Sequence, residues 1–282
     1  MTLLRDLLAL AKPRPSGLAV AVTMAAYALA GGLWSSTRWL FTLVGALAIG
    51  AGANAWNQLM ERESDLRMDR TAKRPLASGR LKPFHGICFA TAASLLGVFL
   101  FYAGVSREAT LTALLLLIVY VGVYTPLKKK SRAALYVGSV SGALTTILGW
   151  VAAGRELEAP AYALFGVLFF WQIPHFLAIG RLHREDYRRG GYTFVSQDES
   201  GAEDRMPMMI GLTGLAASAM GIYATGLAGN FYFVIALACT VIFTAASVVF
   251  QARQTIQDAR RVLTLSIVYV VVLFSAMLLD RV

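Results

Sequence analysis

The chain has 282 residues, 57% of them hydrophobic and 15% charged, with a mean hydropathy of +0.60 and a formal net charge of +10. A soluble domain is about 45–50% apolar and about 25% charged, so this composition excludes one and points to an integral membrane protein. With 25 Gly, 8 Pro and 2 Cys it also excludes a collagen-like, disordered or disulfide-stapled chain.

In chain order, residues 1–16 carry Arg5, Lys12 and Arg14 around a short apolar patch, then Pro13 and Pro15. They match neither a cleavable signal peptide nor a transit region, and the expected home is a prokaryotic plasma membrane. A spanning helix needs about 20 apolar residues. Nine spans are predicted, at 17–34, 39–57, 86–105, 109–126, 134–153, 160–180, 208–228, 231–250 and 263–280. Cys88 and Cys239 fall in apolar stretches far apart and read as buried hydrophobes.

Alternating the loops puts 22 of the 26 Lys and Arg on the side of the N-terminus and four on the other. By the positive-inside rule that side is the cytosol, and one helix fewer would destroy the asymmetry. The basic excess is topogenic and suits anionic lipid; no aromatic-interleaved basic motif points to nucleic acid. Twelve of the sixteen acidic residues share the same side, clustered between Glu61 and Asp69 and between Glu185 and Asp204. Long loops of mixed charge on a protein of short loops are where chemistry is expected.

The first cluster follows the second span. Asn57, Glu61, Asp65 and Asp69 are spaced by four, and on a helix each such step turns about 400° and rises about 6 Å. The pattern predicts one stripe of oxygen ligands suited to a hard cation such as Mg²⁺ that shares substrate phosphates. Arg70, Lys73 and Arg74 follow as phosphate partners. The competing reading is a solvated amphipathic helix with i,i+4 ion pairs such as Glu63 with Arg67.

At the end of the fourth span, Lys128 sits one turn past Tyr124. The pair reads either as an anion contact or as part of a topogenic cluster. After the sixth span come Trp171, Gln172, Pro174, His175 and Phe176, then Arg184, Glu185, Asp186 and Tyr187. Asp186, with Glu185, is expected to face the first cluster, because two acidic groups can hold Mg²⁺ bridging a diphosphate and improve it as a leaving group. His175 lies inside an apolar span beside a helix-kinking proline. Three roles fit it: a haem-iron ligand, a proton carrier, or an inter-helix hydrogen bond.

Taken together these motifs resemble the UbiA superfamily of intramembrane prenyltransferases, and within it the branch that acts on haem. The resemblance covers about 54–192 and rests on Asn57-x3-Glu61-x3-Asp65, Met68-x-Arg70-Thr71-x2-Arg74-Pro75-Leu76, Tyr124-Thr125-Pro126-Leu127-Lys128, Gly149-Trp150, Trp171-Gln172-x-Pro174-His175-Phe176 and Arg184-Glu185-Asp186-Tyr187-x-Arg189-Gly190-Gly191-Tyr192. It implies an all-α polytopic bundle of nine transmembrane helices around a central cavity, a single domain over 1–282 with a cytosolic N-terminus. The implied reaction moves a farnesyl group from farnesyl diphosphate to a vinyl group of haem B, with addition of water.

Carried over by the resemblance, Asn57, Glu61, Asp65 and Asp186 hold Mg²⁺ and diphosphate. Arg70, Arg74, Tyr124 and Lys128 contact the phosphates, and His175 belongs to the haem side of the cavity; the residues themselves add Lys73 as a phosphate partner, and Trp171, Arg184, Glu185 and Tyr187 are expected to line the substrates. Membrane lipid, haem A synthase and terminal-oxidase assembly factors are the implied neighbours, and nucleic acid is not. Asp69 falls at a variable position of the pattern. Two departures bear on the acceptor. Thr145-Thr146 stands where the family usually has Pro-Pro, and Tyr192-Thr-Phe-Val-Ser-Gln replaces a run toward Pro-x-Leu-Pro. The rival readings are a superfamily enzyme acting on a quinone precursor or a chlorophyll-type ring, and, in a different class, a membrane transporter.

Overall fold

A computed structural model describes residues 2–194, 196, 198 and 200–282. Val195 and Gln197 of the divergent stretch, and Glu199 of the second acidic loop, lie outside the described residues, as does the Arg14 side chain. The described chain is helical, apart from one isolated bridge between Ala228 and Arg281. Eight helices are long and apolar enough to cross a membrane. They present large apolar side chains at the surface, among them Leu95, Phe99, Val241 and Val271, as a lipid-facing protein must.

The chain forms two compact units. The first comprises Met1–Arg155 and Glu185–Phe194. It holds α1 (Thr2–Leu10), α2 (Pro13–Leu29), α3 (Thr37–Leu66), α4 (Pro83–Gly104), α5 (Arg107–Leu117), a π-helical segment (Ile118–Tyr124), α6 (Thr125–Leu127) and α7 (Ala134–Ala152). The second comprises Glu156–Arg184 and Val195–Val282. It holds α8 (Ala159–Leu182), α10 (Arg205–Ala224), α11 (Asn230–Arg253) and α12 (Ile256–Leu279); the short α9 (Arg184–Arg189) lies in the first unit from Glu185 onward.

Eight of the nine expected spans coincide with the eight candidates, the fourth spread over α5, the π-helical segment and α6, and the first falls on the shorter α2. α2 has 17 residues, about 26 Å of rise and at the low end of what a bilayer needs. It stops before the expected 34 because Gly31 adopts a left-handed φ of 93°, which ends helices. Trp34 and Trp39 follow with ring centroids 6.0 Å apart, as interfacial aromatics do.

α3 has 30 residues and runs past the expected 57 to Leu66, long enough to cross a bilayer and project beyond it. It packs on α4 through small residues: a Cβ at Gly52 would lie 2.3 Å from Ser94 Oγ, and one at Gly97 2.7 Å from Ile49 Cγ1. In a membrane such close approach supplies the van der Waals contact that holds helices together. α7 is the interior helix of its unit, mostly buried where α4 is mostly exposed. Thr145 and Thr146 leave α7 unbroken, their hydroxyls donating to the carbonyls of Gly142 and Ala143 at 2.7 and 2.8 Å.

In the second unit, α8 lies between α10 and α12 in packing terms. A Cβ on Gly211 of α10 would meet Pro174 Cδ at 2.8 Å. Tyr232 of α11 donates to the Ala219 carbonyl of α10 at 2.8 Å, and the Thr240 and Tyr269 hydroxyls bond at 3.0 Å between α11 and α12. Both cysteines are free and Cys88 is exposed.

Candidate active site

The cytosol-directed end predicted for α3 carries the first unit's polar centre. Asn57, Glu61 and Asp65 are all buried, at 2%, 4% and 1% exposure, so the solvated-helix reading fails. The stripe ends there. Arg67 caps α3, and Asp69, beyond the helix, is 83% exposed and pairs with Arg189 at 2.6 Å.

Each buried group meets a cation. Lys12 Nζ donates to Asn57 Oδ1 at 2.8 Å, and Asn57 Nδ2 donates to Thr125 Oγ1 at 3.2 Å. Glu61 pairs with Lys128 and accepts the Tyr192 hydroxyl. Asp65 takes Arg74 Nη1 on both oxygens, at 2.8 and 2.7 Å. Asp186 accepts from Arg189 at 2.5 Å and from the Asp69 backbone N–H at 3.1 Å. Among the described residues, no three acidic, His or Cys side chains converge as a preformed metal cage. The donors are all oxygen, the set a hard cation takes. The cations that now hold them are the kind a diphosphate would claim.

The surroundings are aromatic as well as charged. Lys128 Nζ lies 4.8 Å from the Tyr124 ring centroid and 5.4 Å from that of Tyr192. The Lys128 carbonyl accepts the Thr193 and Phe194 amides at 2.9 and 3.2 Å, tying the returning strand of chain to this corner. Lys128 is buried, unlike the exposed Lys129 and Lys130, so it is set apart from the topogenic cluster. Tyr124 ends a π-helical segment, a geometry found mostly where function displaces a residue. Arg70 lies 5.7 Å over the Tyr187 ring and donates to its hydroxyl at 3.4 Å. Lys73, Arg70 and Arg74 line a cleft of about 700 Å³ with Arg5, Lys12 and Gln58.

Burial pushes both lysines down, Lys12 to about 7; for Lys128 the Glu61 carboxylate opposes the fall. Burial pushes the Asp186 carboxyl up, but the Arg189 hydrogen bond and the backbone amides of Asp69 and Arg70 outweigh it, leaving it below the ordinary range.

Not every expected residue joins this centre. Glu185 is exposed and pairs with Arg188 at 2.8 Å. Trp171, His175 and Arg184 belong to the second unit. There Trp171 is buried, and its indole N–H donates to the Ser266 carbonyl at 2.7 Å. His175 Nδ1 and Ser266 Oγ are 2.7 Å apart, so the inter-helix hydrogen bond is realised.

Lys12 is the residue the sequence pattern passed over, since a lysine before proline near a chain end reads as topology. Its backbone is left-handed, with φ 47° and ψ 69°, a strained state for a non-glycine residue that marks functional positions. Lys12→Met is expected to lower kcat/KM for an anionic substrate of this cleft about 10- to 100-fold, the worth of one charged hydrogen bond. The thermal midpoint should hold within a few degrees, because a desolvated ammonium is removed with it. A variant with unchanged kcat/KM would place Lys12 outside the site.

These features define a polytopic helical membrane protein with a buried, charge-paired oxygen site beside a basic cleft. The sequence profile of the UbiA prenyltransferase family matches residues 19–275, and the chain belongs to that family. It is 35% identical over 278 residues, 99% of this chain and 94% of the other, to a protoheme IX farnesyltransferase of Anaeromyxobacter dehalogenans. A protein of the same name from Myxococcus xanthus is 33% identical over 282 residues, covering 100% and 96%. A solved digeranylgeranylglyceryl phosphate synthase superposes with a TM-score of 0.81 over 99% of both chains at 15% identity. A UbiA homologue from Archaeoglobus fulgidus bound to GPP and Mg²⁺ gives 0.61 over 96% and 99% at 14% identity.

Proposed function

We propose that this chain, one membrane-embedded enzyme over 1–282, transfers the farnesyl group of farnesyl diphosphate to a vinyl group of haem B, with addition of water, giving haem O and diphosphate. The observation that carries this reading is the full-length similarity to bacterial proteins of that name. The buried site of the first unit and the Trp171–Phe176 run of the second support it. The bacterial relatives support a bacterial plasma membrane, and the 22 basic residues on one side support charged loops in the cytosol.

The residues present fit a hard divalent cation, and Asn57, Glu61, Asp65 and Asp186 would hold it. Bound Mg²⁺ would neutralise the diphosphate and improve it as a leaving group. The chain's own part is an exchange of partners. Arg74 and Lys128 now neutralise Asp65 and Glu61; with the carboxylates engaged elsewhere, both cations turn to phosphate oxygens. Lys12 and Arg70 add positive charge at the same cleft. Charge developing on the diphosphate as the allylic C–O bond breaks is thereby stabilised by groups already in place.

Tyr124 and Tyr192 offer π faces beside Lys128, suited to an allylic cation. The terminal vinyl carbon attacks C1 of the farnesyl group. Water captures the cation left beside the pyrrole ring and releases a proton to solvent.

The test is haem B, farnesyl diphosphate and Mg²⁺ with purified protein in detergent, read by mass spectrometry of the haem. Haem heavier by one farnesyl group plus water is expected, falling to background when Mg²⁺ is chelated. Diphosphate release with unchanged haem would move the acceptor to a quinone precursor or a chlorophyll-type ring. No release from folded protein, with solute flux in vesicles, would make the chain a transporter.

A further inference from the structure

Ser266 of α12 is fully buried, and its hydroxyl makes two short contacts. It donates to the Leu263 carbonyl at 2.6 Å. A serine hydroxyl has one proton and two lone pairs, so toward His175 Nδ1, 2.7 Å away, it accepts. The hydrogen of the neutral imidazole therefore sits on Nδ1, and Nε2 keeps its lone pair.

The same residue holds the neighbouring ring. The Ser266 carbonyl accepts the Trp171 indole N–H at 2.7 Å. The Trp171 ring stacks on His175 with centroids 4.8 Å apart and planes 25° apart. Two rings one helical turn apart on α8 are thus pinned by the side chain and backbone of one serine, 91 residues from the histidine. Nε2 takes no hydrogen bond among the described residues. His175 is half-buried, whereas Ser266 and Trp171 are buried. A part-exposed imidazole with Nδ1–H committed to the protein and Nε2 bare is the arrangement of a metal-ligating histidine, whose second nitrogen is fixed by an outer partner.

We propose that His175 Nε2 is an axial ligand to the iron of the acceptor porphyrin, and that Ser266 is a positioning residue that fixes its tautomer and ring plane. This rests on haem B as the acceptor. Coordination would orient the macrocycle without any bond in it being made or broken.

The test uses the full chain in lipid nanodiscs with haem B, reading haem affinity by optical titration and the iron–imidazole stretch of the ferrous form by resonance Raman. Wild type is expected to show the stretch. His175→Gly should lose it, and added imidazole should restore it, which a variant that merely misfolds would not allow. Ser266→Ala should shift the stretch and weaken haem binding by roughly 10-fold, the usual cost of losing an outer-shell partner, and Ser266→Thr should keep both near wild type.

A wild-type stretch persisting in His175→Gly, with haem still farnesylated, would overturn the ligation and leave the reaction standing. A Ser266→Ala spectrum and affinity equal to wild type would overturn the role of Ser266. Wild-type protein that neither binds nor farnesylates haem would overturn the acceptor and this proposal together.

Discussion

Asp65→Asn is expected to lose about 10³-fold or more in prenyl transfer, more than one transition-state hydrogen bond is usually worth, while the protein still inserts and folds. Asp65 is 1% exposed and receives Arg74 on both oxygens. Asparagine has the same shape but no charge. It can neither hold a divalent cation as a carboxylate does nor neutralise Arg74. The guanidinium is 23% exposed, so water relieves part of its loss, and stability should fall by about 2 kcal/mol rather than the larger cost of a wholly buried orphan charge.

The double variant Asp65→Asn/Arg74→Met separates the two effects. It should recover much of the lost stability, because both charges go together, and recover no activity. Steady-state turnover and a thermal unfolding curve on the two variants decide the matter. Turnover of Asp65→Asn within a few-fold of wild type would remove Asp65 from the catalytic set.

Gly149→Val is expected to abolish folding. A Cβ at Gly149 would stand 2.0 Å from the Thr23 carbonyl oxygen and 2.9 Å from the Tyr27 amide of α2. Those are backbone atoms and cannot rotate aside, so α2 and α7 must separate. Even Gly149→Ala should cost about 3 kcal/mol, the upper end for one methyl forced into a packed core. α7 carries fully packed Trp150 next door, so the loss spreads. Gly17→Ala in α2, where a Cβ meets nothing within 4 Å, is the matched control and should be neutral. Monodisperse yield in detergent measures both, and a monodisperse Gly149→Val would refute the close-packing account.

Much of the architecture was legible because spans announce themselves by apolar length: eight of the nine predicted spans coincide with helices long and apolar enough to cross a membrane, and the first falls on the shorter α2. The spacing of four in Asn57, Glu61 and Asp65 was legible for a similar reason, since α-helical rotation brings such positions to one face. Asp69 satisfied the same arithmetic and failed, because nothing in the spacing tells where the helix stops, and α3 ends at Leu66. The ion pairs were hidden. Lys12, Arg74 and Lys128 are separated from their partners by 45, 9 and 67 positions, and only the fold joins them. Ser266 was hidden more completely, a small polar residue in an apolar span whose partner lies on another helix. The π-helical turn at Ile118–Tyr124 has no composition that distinguishes it from ordinary helix.

The ten residues Glu185–Phe194 belong to the first unit although the chain has by then laid down α8 of the second. Biosynthesis therefore meets the polar centre in instalments. Asn57 finds Lys12 already made, and Asp65 acquires Arg74 nine residues later. Glu61 must wait for Lys128, and then for Tyr192, which arrives only after a sixth apolar helix has left the ribosome. A nascent chain halted at Arg155 would carry every helix of its first unit except α9, and would still lack Asp186 and Tyr192. No single cut in the gene separates the two units, because Glu156–Arg184 of the second lies between the two stretches of the first.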